Sequence, residues 1–456
     1  MKINKKICKI ATSFILILSI LTILSCGDDD DQSNNNTNNN NNTNSGIGYI
    51  NYAPSNCTSD GQNEFVYKIM TDTYFWYDMV QEANISSYNS PEELLKDLRY
   101  EELDKWSYIT SKDEYYNYYE EGKYIGMGYY RKYDSDRNLR IAFVYKNSPA
   151  HIAGLKRGDI ILEINSKSIQ DIDNNDLWDT IYGEDEEGVM VDLKIEDTDG
   201  IRKELNLTKT WVKINAVLYY NILKSNGQKI AYLAFNKFIE TASAELEEAF
   251  AYFKEQEVDE LILDLRYNGG GRVHISRDLA SLIAGVNADN DSVFKKYIHN
   301  DKYKHWDRKR YFRSMQNALS LNRVFVITSK STCSASETLI NGLNPFIDVV
   351  LIGNTTCGKP VGMYGHDFCD QHISPIEFTG NNADGEGGYF DGISTTCTAE
   401  DDLLSAMGDP QEVSLKQSLY YIANNYCDPD INERTRSRTK QKEIELKGFR
   451  REIGAF

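Results

Sequence analysis

One stretch limits the fold more than any other, residues 323–362. It opens with R-V-F-V-I-T (323–328), an unbroken apolar run suited to a buried strand. The serine-rich turn S-K-S-T-C-S-A-S-E follows, and then Leu339, Ile340, Leu343 and Phe346 recur at helical spacing on one face. Residues 349–353 read as a second strand, and G-K-P-V-G (358–362) as a loop. A strand–helix–strand order returns the chain to the same sheet. The serines that open the helix and Lys359 in the later loop therefore meet at one end of that sheet.

Such a meeting has a chemical use. A serine hydroxyl is a weak nucleophile until a base takes its proton. A lysine is that base only where burial pulls its pKa toward neutrality. Lys359 lies between Cys357-Gly358 and Pro360-Val361-Gly362, with no acidic neighbour in sequence. The bland alternative is a helix-capping serine and a surface lysine. Cys333 is a rival nucleophile by position, but no histidine is near it in sequence.

Context favours catalysis. S-A-S-E followed by G-K, with Ser334 and Lys359 25 positions apart, is preceded by L-I-L-D-L-R-Y-N-G-G-G (261–271). In these blocks and their order the chain resembles the C-terminal processing (tail-specific) serine proteases, Bacteroidota lipoprotein type, over residues 63–427. The resemblance implies an α/β protease core of β-α-β units, an inserted PDZ-like β-rich domain and a small N-terminal helical domain. It implies Ser334 as nucleophile, Lys359 as base, and the backbone N–H groups of Gly270 and Ala335 as oxyanion donors, with no cofactor and no metal. Where relatives usually have N-P-G-G, this chain has N-G-G-G (268–271). Where they often carry a polar residue four past the lysine, it has Met363, so a third catalytic role is unassigned. Ser336 lies roughly 200° round a helix from Ser334 and does not share its position.

Ends and compartment come next. Residues 1–25 have a basic start and an apolar run, a signal peptide too short for a stable span. The junction L-S-C-G resembles a bacterial lipoprotein box, which implies lipidation of Cys26. Residues 27–31, G-D-D-D-D, resemble the surface-export signal of Bacteroidota lipoproteins. The low-complexity residues 26–52 read as a flexible tether, so the expected location is the cell envelope, lipid-anchored at the outer membrane. Loss of residues 1–25 removes four lysines and no acid, taking the net charge from −19 to −23. Such acidity argues against nucleic-acid partners. Cys57, Cys333, Cys357, Cys369, Cys397 and Cys427 remain for disulfides, in pairings the sequence leaves open.

Along the chain, residues 53–121 read as the helical domain. Residues 63–80 are expected to be helical, and Ser90-Pro91 opens a second helix with Glu93 closing a capping box. Residues 122–215 read as short strands with a helix at 149–154 and another at 174–182. This series resembles a circularly ordered PDZ domain, in which Ile125, Gly126, Met127 and Gly128 would offer backbone N–H groups to a peptide carboxylate while the peptide adds as a strand. Residues 216–430 read as the protease core and 431–456 as a solvated polar tail. The turn at 268–271 lacks the G-K-[ST] of a phosphate loop. Residues 381–388 lack the first acid of a calcium loop. His366 and His372 read as surface residues. The expected function is a serine endopeptidase acting on protein or peptide substrates, with recognition of their C-termini. The alternative is a non-catalytic surface peptide-binder on an inactive protease fold. An esterase reading lacks G-x-S-x-G.

Overall fold

A Thr58 hydroxyl facing the Gly61 N–H starts the first helix, α1 (Ser59–Asp72), in the computed structural model, which describes residues 52–431, 433 and 448–453. The signal peptide, Cys26 and nearly all of the tether lie outside the described residues. The helix expected over 63–80 therefore begins earlier and stops at Asp72. Its stop has a cause: the Asn300 side-chain amide donates to the Asp72 and Tyr74 carbonyls at 2.9 and 3.0 Å, turning the chain there. In α2 (Pro91–Leu98) the Ser90 hydroxyl accepts from the Glu93 N–H. The Glu93 carboxylate reaches the Asn89 N–H at 3.1 Å, one residue upstream of the expected box. Leu94, Leu95 and Leu98 share one core with Phe65, Ile69, Phe368 and Ile373, so this helical region is packed onto residues 361–376.

β1 (Tyr108–Ser111), α3 (Lys112–Tyr119) and β2 (Lys123–Gly126) lead into a β-rich insertion. It contains β3 (Tyr129–Tyr133), β4 (Leu139–Val144), α4 (Pro149–Ile152), β5 (Ile160–Ile164), β6 (Lys167–Ser168), α5 (Ile169–Asn174), β7 (Met190–Glu196) and β8 (Arg202–Thr208). The strands order β3-β4-β5-β7-β8, with β6 on β5, and β9 (Thr210–Lys213) returns to pair antiparallel with β2. The helix expected at 174–182 is misplaced in sequence. Residues 173–176 are Asp-Asn-Asn-Asp, poor helix interiors, and Asp176 sits at φ 49°. Residues 175–182 run as turns, pinned where the Asn165 amide donates to the Ile181 carbonyl at 2.7 Å.

The rest builds the main sheet and most of two smaller ones: β10 (Val217–Ser225), β11 (Gln228–Phe235), α6 (Ala242–Glu255), β12 (Glu260–Asp264), α7 (Val273–Ala284), β13 (Val293–His299), β14 (Arg308–Tyr311), β15 (Arg323–Thr328), α8 (Ala335–Leu343), β16 (Asp348–Gly353), β17 (Val361–Met363), β18 (His366–Phe368), β19 (Gln371–Ser374), β20 (Ile376–Asn381), β21 (Cys397–Thr398) and α9 (Val413–Asn424). The strand order is β10-β11-β12-β15-β16-β21, parallel from β11 onward. Alternate residues of its inner strands face opposite cores. Leu233, Leu263 and Val326 pack in the cluster that holds residues of α6, α7 and α8, while Ile262, Phe325 and Val350 meet Leu415 and Ile422 of α9. Covering both faces explains why these strands read as unbroken apolar runs. A second sheet has the order β14-β13-β20-β17, and a small one the order β1-β19-β18.

Disulfides join Cys57 to Cys369, Cys333 to Cys357 and Cys397 to Cys427. Cys333 is thus bonded and is no rival nucleophile. Part of the expected solvated tail is also packed: in the short helix Gly448–Ile453 the Phe449 ring lies 5.4 Å from that of Tyr108, and the Arg450 guanidinium is 2.6 Å from Asp185. Among the described residues no helix is long and apolar enough to cross a membrane.

Candidate active site

The serine-rich turn is laced to the exit of β12. The Ser329 hydroxyl donates to the Arg266 carbonyl at 2.5 Å, Thr332 Oγ1 to the Leu265 carbonyl at 2.8 Å, and Ser336 Oγ to the Asn268 carbonyl at 3.0 Å. The Cys333 N–H also donates to the Asn268 carbonyl. Four hydroxyl or amide donors from one short turn thus meet carbonyls that the neighbouring strand leaves open at its end. Ser336 is fully buried by this role.

Ser334 remains, at the step from turn to α8. Its backbone sits at φ 53° and ψ −109°, a left-handed conformation that L residues adopt only under constraint. The same strain marks nucleophiles placed on a sharp strand-to-helix turn. Gly270 packs directly against it: a Cβ there would stand 2.8 Å from Ser334 Cβ and 3.0 Å from the Ala335 nitrogen. The glycine is needed because the two turns touch. Ala335 is the first residue of α8, where a helix leaves N–H groups without an intrahelical acceptor. The Gly270 N–H donates to Asn268 Oδ1 at 2.9 Å, and Gly271, next along, lines the cleft.

Lys359 reaches the same cleft. It is 2% exposed, and both it and Ser334 line a cavity of about 270 Å³. Its Nζ lies 4.0 Å from Met363 Sδ and 5.9 Å from the centre of the Trp106 ring. Met363 thus touches the lysine, but as a thioether it is a weak acceptor.

Sequence reading gave Glu337 no role, and the structure gives it a large one. Its fully buried carboxylate accepts the backbone N–H groups of Ser334, Gly358 and Lys359 at 2.9, 2.8 and 2.8 Å, and the Thr356 hydroxyl at 2.5 Å. An acid therefore does stand against Lys359, at its backbone, although none adjoins it in sequence. Burial pushes the carboxyl of Glu337 up from its usual range, and the donors pull the other way. The signal was available: Ser334 and Glu337 stand at capping-box spacing. The Cys333–Cys357 disulfide crosses the same gap, from the residue before Ser334 to two before Lys359.

The histidines are placed elsewhere. His366 Nε2 is 2.9 Å from Glu377, and His372, 2% exposed, is 2.7 Å from Asp367 and stacked on Tyr115. His372 is buried and His366 half-buried, so neither is the exposed surface residue expected, and neither lines the cleft. In the β-rich insertion, Ile125 and Gly126 pair with Trp211 and Thr210. Met127 is 1% exposed and its carbonyl accepts from the Ala150 N–H. Gly128, at φ 84°, accepts from the Tyr145 N–H. β3, which follows this turn, ends its sheet and pairs within it only with β4.

A buried lysine and a strained serine thus line one cleft at the end of a parallel sheet, beside a glycine turn. Comparisons with known proteins bear on the family. The model of peptidase family S41 matches residues 229–380, that of the peptidase S41 N-terminal domain residues 61–108, and a PDZ domain model residues 140–187. The chain thus carries a peptidase family S41 domain together with an S41 N-terminal domain and a PDZ domain.

Among relatives, it is 26% identical over 49% of its length to carboxyl-terminal-processing peptidase 3, chloroplastic, of Arabidopsis thaliana. It is 27% identical over 49% of its length to the carboxy-terminal processing protease CtpB of Bacillus subtilis. The matched stretch spans 43% and 44% of those proteins' own length. A crystal structure of a protein assigned to the S41 proteases of Bacteroides fragilis NCTC 9343 superposes with a TM-score of 0.63 at 23% identity, covering 83% of this chain and 99% of that one, which shows a shared fold.

Proposed function

We propose that this protein is a serine endopeptidase that hydrolyses protein or peptide substrates through a Ser334–Lys359 dyad and an acyl-enzyme. One observation carries the reading: a serine in strained backbone and a buried lysine, 25 positions apart in sequence, line one cleft. Lys359, acting as base, takes the Ser334 proton as Oγ attacks the peptide carbonyl. The oxyanion is held by the Ala335 N–H together with the glycine turn. Because the Gly270 N–H is already given to Asn268, its share requires that bond to yield, while Gly271 faces the cleft directly. Lys359 then protonates the leaving amine, and water releases the acyl group.

Substrate C-termini are read by the 125–128 turn, with the peptide lying along the outer edge of β3. Residues 53–121, 122–215 and 216–430 act as helical support, peptide-binding domain and protease core. Cys26 carries a lipid that holds the protein at the outer membrane.

The dyad is tested on an unstructured polypeptide: wild type cuts it, and Ser334→Ala does not. Equal cutting by both would refute the dyad. Peptides with a free apolar C-terminus should be cut faster than their amides, and equal rates would remove the carboxylate-reading turn. Cys26→Ala should abolish fatty-acid incorporation, and unchanged membrane association would overturn the anchor.

A further inference from the structure

The cleft beside Ser334 is basic, against the balance of the chain. The sequence has 50 basic and 69 acidic residues. Yet Arg272, His274, Lys295, Arg308, Arg310 and Lys359 line the cleft, and among the described residues no aspartate or glutamate does. Two of these basic side chains are already matched. Arg272 is paired with Glu120 and Glu240, and His274 lies 3.1 Å from Glu240.

Three others come from one hairpin. β13 and β14 pair so that Lys295 stands opposite Arg310, and Tyr297 opposite Arg308. Residues opposed across an antiparallel pair, and residues two apart along a strand, project to the same face. Lys295, Arg308 and Arg310 therefore crowd one face, and among the described residues none of them has a carboxylate partner. Lys295 is 5% exposed, with Nζ 3.3 Å from Thr338 Oγ1 and 5.5 Å from the centres of the Tyr297 and Phe378 rings. The Arg308 guanidinium lies 4.7 Å from the Tyr297 ring centre, and its buried Nε and Nη1 have no hydrogen-bond partner.

Like charges directly opposite in a sheet repel, and buried charge without a counter-ion is costly. A bound anion relieves both. The position is close to the chemistry, since Thr338 stands one helical turn past Ser334 and its N–H donates to the Ser334 carbonyl at 2.8 Å.

From this face we infer that the cleft binds a substrate carboxylate beside the bond that Ser334 attacks, so that acidic peptide segments are selected. The inference rests on this cleft being the peptide-binding cleft, as proposed above. Aspartate and glutamate side chains and a chain's terminal carboxylate offer the same chemistry, and the test separates them. Burial holds the Lys295 ammonium down to about 8, and a carboxylate in contact would favour its charged form.

The test uses Ser334→Ala full-length protein and fluorescence anisotropy, so that binding is read without turnover. Three labelled peptides of equal length are compared: one rich in glutamate and amidated, its glutamine counterpart amidated, and that counterpart with a free C-terminus. The glutamate peptide should bind about tenfold or more tightly than its glutamine amide. The excess should vanish in Arg308→Gln/Arg310→Gln, and Arg308→Glu/Arg310→Glu should turn the preference toward lysine peptides, a gain that misfolding cannot produce. A preference for the free terminus that the hairpin substitutions abolish would assign the site to a terminal carboxylate. Equal binding of all three peptides, or a preference that ignores the hairpin substitutions, would overturn the inference. Wild type that binds the glutamate peptide but never cuts any peptide would refute the peptidase reading and leave the anion site standing.

Discussion

The two walls of the cleft are built on opposite principles. One carries Ser334 and Lys359 and is braced at every point: a disulfide spans it, a buried carboxylate takes four donors from it, and the serine turn is tied to the end of β12. The other is the β13–β14 hairpin, where Lys295 and Arg310 face each other. The first wall has its bracing groups satisfied before any substrate arrives, as preorganised catalysis requires. The second leaves charge unmatched. A satisfied wall fixes geometry, and an unsatisfied one supplies affinity for what completes it.

The comparison breaks most visibly at the dyad. Ser334→Ala and Lys359→Ala should each lower kcat by about 10³-fold or more, and the double variant should be little worse than either, since the two groups act as a unit. Lys359→Arg should be equally inactive because a guanidinium stays protonated. Retained activity in Lys359→Arg would show that the braced wall does not hold a lysine base.

The brace itself is next. Cys333→Ala/Cys357→Ala opens a link across 24 positions and should lower stability by about 3 kcal/mol in thermal or denaturant unfolding. Because the link joins the serine turn to the lysine loop, kcat should fall more than KM changes. An unchanged kcat would mean that the bridge only stabilises.

Glu337→Gln keeps the shape but turns an acceptor into a donor against backbone N–H groups. A loss of about 2 kcal/mol is expected, again with kcat affected before KM. If kcat survives while stability falls, Glu337 supports the fold and does not position the dyad.

The smallest effect tests the other wall. Lys295→Met removes a buried ammonium and should raise stability by roughly 1–2 kcal/mol at pH 7 while weakening binding of acidic peptides. The sign follows from linkage. The folded-state pKa of Lys295, about 8, lies below the ordinary lysine value of about 10.4, so wild type bears the full penalty below pH 8 and sheds it as pH rises through that window. The advantage of the variant, read by unfolding at several pH values, should shrink over the same interval. A variant less stable than wild type at pH 7 would show that Lys295 is already compensated.

The strands 323–328 and 160–164, the short helix after Ser148 and the caps at Ser90 and Pro91 were legible because each is set by its own residues, through apolar runs, proline or side-chain caps. Helix ends were less so. The first stops at Asp72 because of Asn300, more than two hundred positions away, and no local pattern records that. The expected helix at 174–182 failed for a local reason that was readable, the run of Asp and Asn at its start.

By itself the sequence determined the β-α-β unit, the glycine turn that follows β12, and the serine and lysine that could meet, because these rest on periodicity and short spacing. Only the tertiary structure decided which cysteines join, since Cys57 and Cys369 lie 312 positions apart and six thiols admit many pairings. It also decided that Glu337 ties serine to lysine and that Lys295 and Arg310 share a face. Those facts depend on strand register and on the approach of distant backbone segments, and are fixed only when the whole core packs.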